Sequence, residues 1–211
     1  MEDAASPPDY SQAIERDWLL RVSFAVSVAT IAIAIVIAWL TGTELRPLLA
    51  PDIASTLAGL QIAGPLIVLF FALRRVRWRP IRRVYEVVTR ILGPALQRCS
   101  WWQTAAIAVG AGISEELLFR GALQGWATQS HLAIGLIVPN LVFGMLHAVT
   151  WTYAVFACCI GFYLSCSLVL VPNANLWSVI FAHAAYDFVA FEAIARAAKT
   201  ARPVLGTKVS N

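Results

Sequence analysis

Three short segments of this sequence carry carboxylate, imidazole and guanidinium side chains in otherwise apolar surroundings. They contain Glu115, Glu116 and Arg120 in the first segment, His147 in the second, and His183 and Asp187 in the third. Peptide hydrolysis needs a base that deprotonates water and donors that stabilise the developing oxyanion. Because carboxylates and imidazoles supply both, the three segments predict a hydrolytic site.

The spacing of these side chains along their helices predicts a different role for each. Glu116 and Arg120 are one helical turn apart and can form an ion pair, which keeps the carboxylate ionised. Glu115 points about 100° away around the same helix, where an apolar surrounding suits it to act as a general base. His183 and Asp187 are also one turn apart, so both can face a single cavity.

The predicted chemistry joins the three segments. Glu115 with His147 is expected to hold and activate a water molecule, and His183 is expected to donate to the oxyanion. Asp187 can donate only when it is protonated; otherwise it orients His183 or another partner.

Two residues that precede His147 flank the predicted site. Phe143 is expected to pack against the site and line it without reacting. Asn140, about one helical turn earlier, is expected either to form a helix–helix hydrogen bond or to neighbour the site.

The elements that must position these residues are membrane helices. The chain is 59% hydrophobic and 13% charged, whereas soluble chains carry about 25% charge. Residues 22–40 and 53–73 contain no charged side chain, and neither do the residues between Arg120 and Asp187. Ionisable groups at membrane depth are costly and are functional candidates by default. The predicted fold class is therefore all-α, a polytopic transmembrane bundle of about six helices.

The six predicted transmembrane helices are separated by short connections. They run at about 20–41, 53–73, 101–124, 132–148, 151–171 and 176–197, with an amphipathic surface helix at 82–97. At a rise of about 1.5 Å per residue, the three polar segments reach one layer of the membrane. The predicted domains are a cytosolic tail (1–19), two N-terminal helices (20–73), a basic cytoplasmic loop (74–100), a four-helix catalytic core (101–197) and a second cytosolic tail (198–211).

Basic residues predict the orientation and the lipid contacts. Six arginines cluster in one loop: Arg74, Arg75, Arg77, Arg79, Arg82 and Arg83. Such a loop is typically cytoplasmic and touches anionic lipid. With an even helix count, both termini are then cytoplasmic, in the inner or plasma membrane if the chain is bacterial. The net charge of +4 does not suggest nucleic acid as a partner.

The three segments together also resemble a known family. The patterns E-E-x-x-x-R from Glu115, F-x-x-x-H from Phe143 and H-x-x-x-(N/D) from His183 occur in this order on successive apolar helices. They resemble the type II CAAX prenyl endopeptidase and bacteriocin-processing (CPBP) family, which also takes in lysostaphin resistance protein A-like and Abi proteins. The resemblance covers roughly residues 101–194 and implies a glutamate-based intramembrane endopeptidase.

The resemblance implies a role for each matched residue. These are Glu115 as base, His147 as its partner on the water, His183 and Asp187 on the oxyanion side, and Glu116 and Arg120 as support. The eukaryotic prenyl proteases carry asparagine where this chain has Asp187, so a metal site stays open. A metal-free mechanism without a cofactor is favoured because H-E-x-x-H is missing. If the enzyme used zinc, the ligands would be Glu115, His147, His183 and Asp187.

Two other classes of function remain open. One is a non-catalytic immunity or scaffold protein of the same family, and the other is a proton-coupled carrier. The small helix number and the lack of an internal repeat count against a carrier. For an endopeptidase, the substrate is a protein or peptide cut near the membrane, for example at a C-terminal or leader segment.

Overall fold

The structure is a computed structural model that describes residues 15–45 and 49–200. Among these residues every regular element is helical, and none is a strand. The elements are α1 (Arg16–Thr41), α2 (Ile53–Leu73), α3 (Arg79–Leu96), α4 (Trp101–Glu116), a π-helical segment (Leu117–Gln124), α5 (Gly125–Ser130), α6 (Leu132–Leu146), α7 (Trp151–Leu170) and α8 (Leu176–Thr200). The predicted all-α fold class is confirmed.

Four of the helices, α1, α2, α7 and α8, are long and apolar enough to cross a membrane. The π-helical segment joins α4 to α5 in one unbroken run over residues 101–130, and α6 is a shorter apolar helix of 15 residues. Large apolar side chains face outward, as Trp39 (79% exposed) and Leu40 (68%) do on α1. A helical bundle with an apolar exterior fits a bilayer, because helices satisfy their own backbone hydrogen bonds there.

Several predicted helix ends are wrong by a few residues. The first helix begins at Arg16 and not at 20, and the amphipathic helix is Arg79–Leu96 and not 82–97. It starts early because Pro80 lies in its first turn, where a missing N–H costs nothing. The predicted tails fall largely outside the described residues, in 1–14 and 201–211.

The ends of the third and fourth predicted helices also differ. The third was expected to end at 124, but its run continues to Ser130. The fourth was expected to reach 148, but α6 ends at Leu146 and His147 follows it as the C-cap residue. There the His147 ring and the His147 backbone N–H both bind the carbonyl of Phe143.

Helix α8 lies at the centre of the bundle and packs against α2, α3 and α4. A methyl group added to Gly112 on α4 would lie 3.0 Å from the carbonyl oxygen of Ile180 on α8. A small residue is therefore needed where these two backbones meet, as is common between membrane helices. On the other side of α8, the buried hydroxyl of Ser178 donates to the carbonyl of Ser55 on α2 at 2.8 Å. These contacts fix α4 and α8, the two helices that carry most of the predicted site.

Helix α3 lies at the end of the bundle where α1 begins and α8 ends. Its Ala95 and Leu96 form a buried apolar cluster with Leu19 of α1 and with Ile194 and Ala195 of α8. The outer side of α3 carries arginines.

Candidate active site

The three polar segments of the sequence meet between α4, α6 and α8. Glu115 and Glu116 are the last two residues of α4, His147 caps the end of α6, and His183 and Asp187 lie on α8. Each of these side chains has a nitrogen or oxygen within 3.8 Å of another member of the group. Spacing along one helix predicted the pairs, and the fold brings the pairs together.

Glu116 is the buried centre of the polar network. Its Oε1 accepts a hydrogen bond from Arg120 Nη1 at 3.0 Å, in the ion pair that the spacing predicted. The same oxygen lies 2.6 Å from His183 Nδ1. Both Glu116 and Arg120 have fully buried side chains. Because a carboxylate paired with arginine accepts hydrogen bonds, Nδ1 of His183 carries the proton, and Nε2 points to the rest of the site.

The contact between Glu116 and His183 was missed by sequence reasoning, which gave Glu116 only a supporting role beside Arg120. The two residues are 67 positions apart, on helices whose relative rotation no helical spacing reveals. Helical periodicity shows which residues share a face of one helix, but it does not show which faces of two helices meet.

Arg120 has a second partner on a neighbouring helix. Its Nη2 donates to Asn140 Oδ1 at 3.2 Å, and Asn140 Nδ2 donates to Ser165 Oγ on α7 at 2.8 Å. Two roles were predicted for Asn140, and in the structure it forms the hydrogen bond between helices. Ser165 was missed because a serine is an ordinary residue of an apolar membrane helix, and its complete burial is visible only in the structure.

Gly161 on α7 leaves the space in which this network sits. An added Cβ would lie 2.6 Å from Asn140 Oδ1, 2.8 Å from Arg120 Nη2 and 3.3 Å from Phe143 Cδ1. Only a residue without a side chain lets α7 approach the arginine and the asparagine this closely. Gly161 was also missed, because nothing in the sequence distinguishes it from other glycines of the apolar helices.

Glu115 points to a different part of the site from Glu116. Its Oε2 lies 3.8 Å from His147 Nε2 and 3.8 Å from His183 Nε2. This oxygen is buried and has no hydrogen-bond partner among the described residues. A separation of 3.8 Å is too long for a direct hydrogen bond but is a distance that one shared water molecule spans.

The orientation of His147 is fixed by the end of α6. Its Nδ1 lies 2.8 Å from the carbonyl oxygen of Phe143, an acceptor, so Nδ1 is the donor. In the neutral ring, Nε2 then presents a lone pair towards Glu115. The ring also packs on Phe143, with 4.2 Å between the ring centroids, and meets the edge of Tyr153 at 6.2 Å.

Asp187 completes the surroundings of His183. Its Oδ2 lies 3.4 Å from His183 Nε2, so that nitrogen faces the carboxylates of both Asp187 and Glu115. The Asp187 side chain is 18% exposed, whereas Glu116 on the opposite side of the imidazole is completely buried. His183 is therefore held between a buried carboxylate and one that borders an open space.

Phe143 has the packing position that the sequence predicted. It is buried, meets Phe119 edge to face at 4.9 Å, and lies under the guanidinium of Arg120, whose Cζ is 4.9 Å from the ring centroid. The ring thus separates the buried arginine from the side of the site that His147 occupies.

An apolar cavity of about 470 Å³ adjoins the polar cluster. It lies between α2, α3, α7 and α8, with Asp187, Tyr153 and Tyr186 at its inner end and Arg74 and Arg82 at its outer end. The two tyrosines were not among the predicted residues. The cavity gives the polar cluster an apolar approach from the end of the bundle that carries α3.

The polar cluster contains side chains of the types that bind metal ions. Within residues 15–45 and 49–200, no three histidine, cysteine, aspartate or glutamate side chains are arranged to hold a metal ion. Nδ1 of His183 is engaged by Glu116, and Nδ1 of His147 by a backbone carbonyl. Nε2 of each ring remains directed towards Glu115 Oε2.

Comparison with known proteins identifies the part of the chain that carries this site. Residues 97–189 match the family described as Type II CAAX prenyl endopeptidase Rce1-like. No curated protein and no solved structure matches the chain. The matched segment includes all of the residues named above around the polar cluster, from Glu115 to Asp187, and its apolar helices belong to an integral membrane protein. The family resemblance that the three motifs predicted is thus confirmed: residues 97–189, somewhat less than half of the chain, are similar to the Rce1-like family.

Proposed function

We propose that this chain is an intramembrane endopeptidase that hydrolyses a peptide bond with a water molecule activated by Glu115 and His147. The observation that carries the proposal is the buried Glu115 Oε2, which has no partner in the described part of the chain and lies 3.8 Å from two imidazole nitrogens. A buried carboxylate oxygen without a partner is costly, and such groups are kept where they act.

The first chemical step uses Glu115 and His147 on the water. The lone pair of His147 Nε2 accepts one hydrogen bond from the water and orients it. Glu115 accepts the other proton as the water oxygen attacks the carbonyl carbon, so it is the general base. When the C–N bond breaks, Glu115 returns that proton to the leaving nitrogen, and the products are a carboxylic acid and an amine.

His183 stabilises the negative charge on the carbonyl oxygen. With Nδ1–H bonded to Glu116, a protonated ring offers Nε2–H to the oxyanion. The Glu116 and Asp187 carboxylates on either side favour this imidazolium form. We assign Asp187 the orienting role: its Oδ2, 3.4 Å from His183 Nε2, attracts the positive ring, whereas an ionised carboxylate cannot itself donate to the oxyanion.

The apolar surroundings of the polar cluster support a protein or peptide substrate that has an apolar segment near the cleaved bond. The apolar cavity beside Asp187 offers such a segment a place within the membrane. We further propose that both termini and the arginine-bearing α3 lie on the cytoplasmic side, since basic residues concentrate there. Substrate then approaches the site from the cytoplasmic end of the bundle.

The proposal is tested by Glu115→Gln, which keeps the size of the side chain and removes the base. The measurement compares protein termini in membranes of cells that carry wild type or the variant. Glu44→Gln is the control, because Glu44 is exposed and lies outside the helices. We expect protein termini produced by cleavage in membranes of cells that carry wild type or the control. These termini should be missing from cells that carry Glu115→Gln.

An identical set of termini in all three strains would overturn the peptidase proposal. A scaffold protein would keep its phenotype in the variant, and a carrier would lose uptake instead of cleavage. A separate arm treats the purified protein with a chelator. Cleavage that the chelator abolishes and zinc restores would replace the metal-free mechanism with a metal-dependent one, while leaving the peptidase activity in place.

A further inference from the structure

Helix α3 has two chemically different faces. One face carries Ile81, Tyr85, Val88 and Leu92, which line the apolar cavity. The other face carries charged residues at helical spacing, of which Arg82 and Glu86 also reach the rim of the cavity, and we call it the arginine face: Arg79, Arg82, Arg83, Glu86 and Arg90. Such a helix lies in the plane of a membrane surface, with its apolar side turned to the interior.

The charges of the arginine face are largely uncompensated. Its one ion pair among the described residues joins Arg82 to Glu86 at 3.4 Å, with both side chains more than half exposed, so it contributes little. Arg79, Arg83 and Arg90 have no carboxylate within ion-pair distance in the described part of the chain. Four arginines against one glutamate leave a strong positive surface.

The arginine face also has a shape that suits a ligand. Its four arginines and Glu86 border a depression of about 640 Å³ on the outside of the helix. Guanidinium groups bind phosphate oxygens through paired, planar hydrogen bonds, which makes arginine the preferred residue for phosphate recognition. The N-terminus of α3 at Arg79 adds a favourable dipole for an anion.

Neighbouring tryptophans place this face at the level of lipid headgroups. Trp78, directly before α3, is 62% exposed, and Trp101 and Trp102, at the start of α4, are 71% and 58% exposed. Exposed tryptophans of this kind concentrate at the boundary between hydrocarbon and headgroups. A free phosphate would have to reach the face from solution, whereas lipid phosphates already lie beside it.

We propose that the arginine face of α3 binds the phosphodiester of an anionic phospholipid in the adjacent leaflet. Because the other face of the same helix forms a wall of the apolar cavity, the bound lipid also holds that wall in place. The site is separate from the polar cluster, and lipid binding does not depend on peptide cleavage.

The test measures lipid binding to the purified full-length protein by native mass spectrometry. Detergent micelles contain equal amounts of phosphatidylglycerol and phosphatidylcholine. We expect wild type to retain phosphatidylglycerol selectively. Each arginine near an anionic surface contributes about fivefold to affinity, so the triple variant Arg79→Gln, Arg83→Gln, Arg90→Gln should lose about two orders of magnitude.

Two further variants separate a specific site from net charge and from misfolding. The control Arg21→Gln, Arg98→Gln, Arg196→Gln removes the same charge at exposed positions off the arginine face and should retain the lipid. Lysine in place of Arg79, Arg83 and Arg90 keeps the charge and should retain part of the binding.

Three results would overturn the proposal. They are equal retention of both lipids by wild type, equal loss of phosphatidylglycerol in the triple variant and its control, and displacement of the lipid by inorganic phosphate at a comparable concentration. The last result would assign the face to a free phosphate. None of these readouts involves cleavage, so this proposal and the peptidase proposal fail independently.

Discussion

Substitution of Gly161 by alanine should disrupt the buried network that supports the site. The new methyl carbon would lie 2.6 Å from Asn140 Oδ1 and 2.8 Å from Arg120 Nη2, well inside ordinary contact distance. Neither polar atom can retreat freely, because they form the 3.2 Å hydrogen bond with each other. Helix α7 must therefore move outward, and the Arg120–Asn140 bond must lengthen or break.

The cost of Gly161→Ala follows from these two effects. Hydrogen bonds between membrane helices contribute about 0.6 to 1.7 kcal/mol, and overpacking a close contact costs about 1–3 kcal/mol. Together they predict a loss of about 3 kcal/mol in the free energy of unfolding. For a chain of this length, a loss of that size lowers the apparent unfolding temperature by about 6–12 °C.

The assay is thermal unfolding of the purified protein in detergent, followed by tryptophan fluorescence. Gly64→Ala is the matched control, because a methyl group there meets nothing within 4 Å. Alanine in an open helical position should be neutral or stabilise by about 0.5–1 kcal/mol. The same two variants are then assayed for cleavage, which only Gly161→Ala should reduce.

Equal unfolding temperatures for Gly161→Ala and Gly64→Ala would refute this account of the network. A double-mutant cycle gives a second check. Asn140→Ala removes the oxygen that the new methyl group would meet, so Gly161→Ala should cost less in that background than in wild type. Additive costs would show that the two positions are not coupled.

Three further predictions concern carboxylates with different surroundings. Glu116→Gln should lower the free energy of unfolding by about 3–5 kcal/mol, because it leaves a buried arginine without its ion-pair partner. Glu115→Gln should change the unfolding temperature little. Equal losses of stability in the two variants would contradict the assigned roles. Asp187→Asn should lower the cleavage rate about 10–100-fold through loss of the negative charge 3.4 Å from His183 Nε2, and a raised rate would show that this position donates. The backbone N–H of Ser55 holds the pKa of the Asp52 carboxyl below its usual value of about 3.9, so the cap on α2 is present above that pH and is lost in stronger acid. On going from neutral pH to about pH 3, the wild-type unfolding temperature should therefore fall more than that of Asp52→Asn.

The membrane helices could be predicted from the sequence because burial in lipid imposes a length and a polarity on each one. The second helix was predicted at 53–73 and lies at Ile53–Leu73. Its start is further marked by Asp52 and Ser55, which cap each other's backbone N–H groups. Ends without such a local signal were less accurate, as at His147, which follows the last residue of α6.

The composition of the polar cluster could be predicted for the same reason. Charged side chains are so costly in an apolar helix that Glu115, His147, His183 and Asp187 are conspicuous in the sequence. Uncharged members of the site carry no such signal. Ser165, Gly161 and Tyr153 look like ordinary residues of an apolar helix, and only their neighbours on other helices give them a role.

The sequence by itself determined the apolar helices, the ionisable residues of the polar cluster and the pairing of Glu116 with Arg120, because each depends on hydropathy or on spacing along one helix. The tertiary structure decided which carboxylate meets which imidazole. Glu116 binds His183 at 2.6 Å, while Glu115 lies 3.8 Å from both histidines. That division depends on how α4, α6 and α8 are rotated against one another, and their rotation is set by close contacts such as those at Gly112 and Gly161.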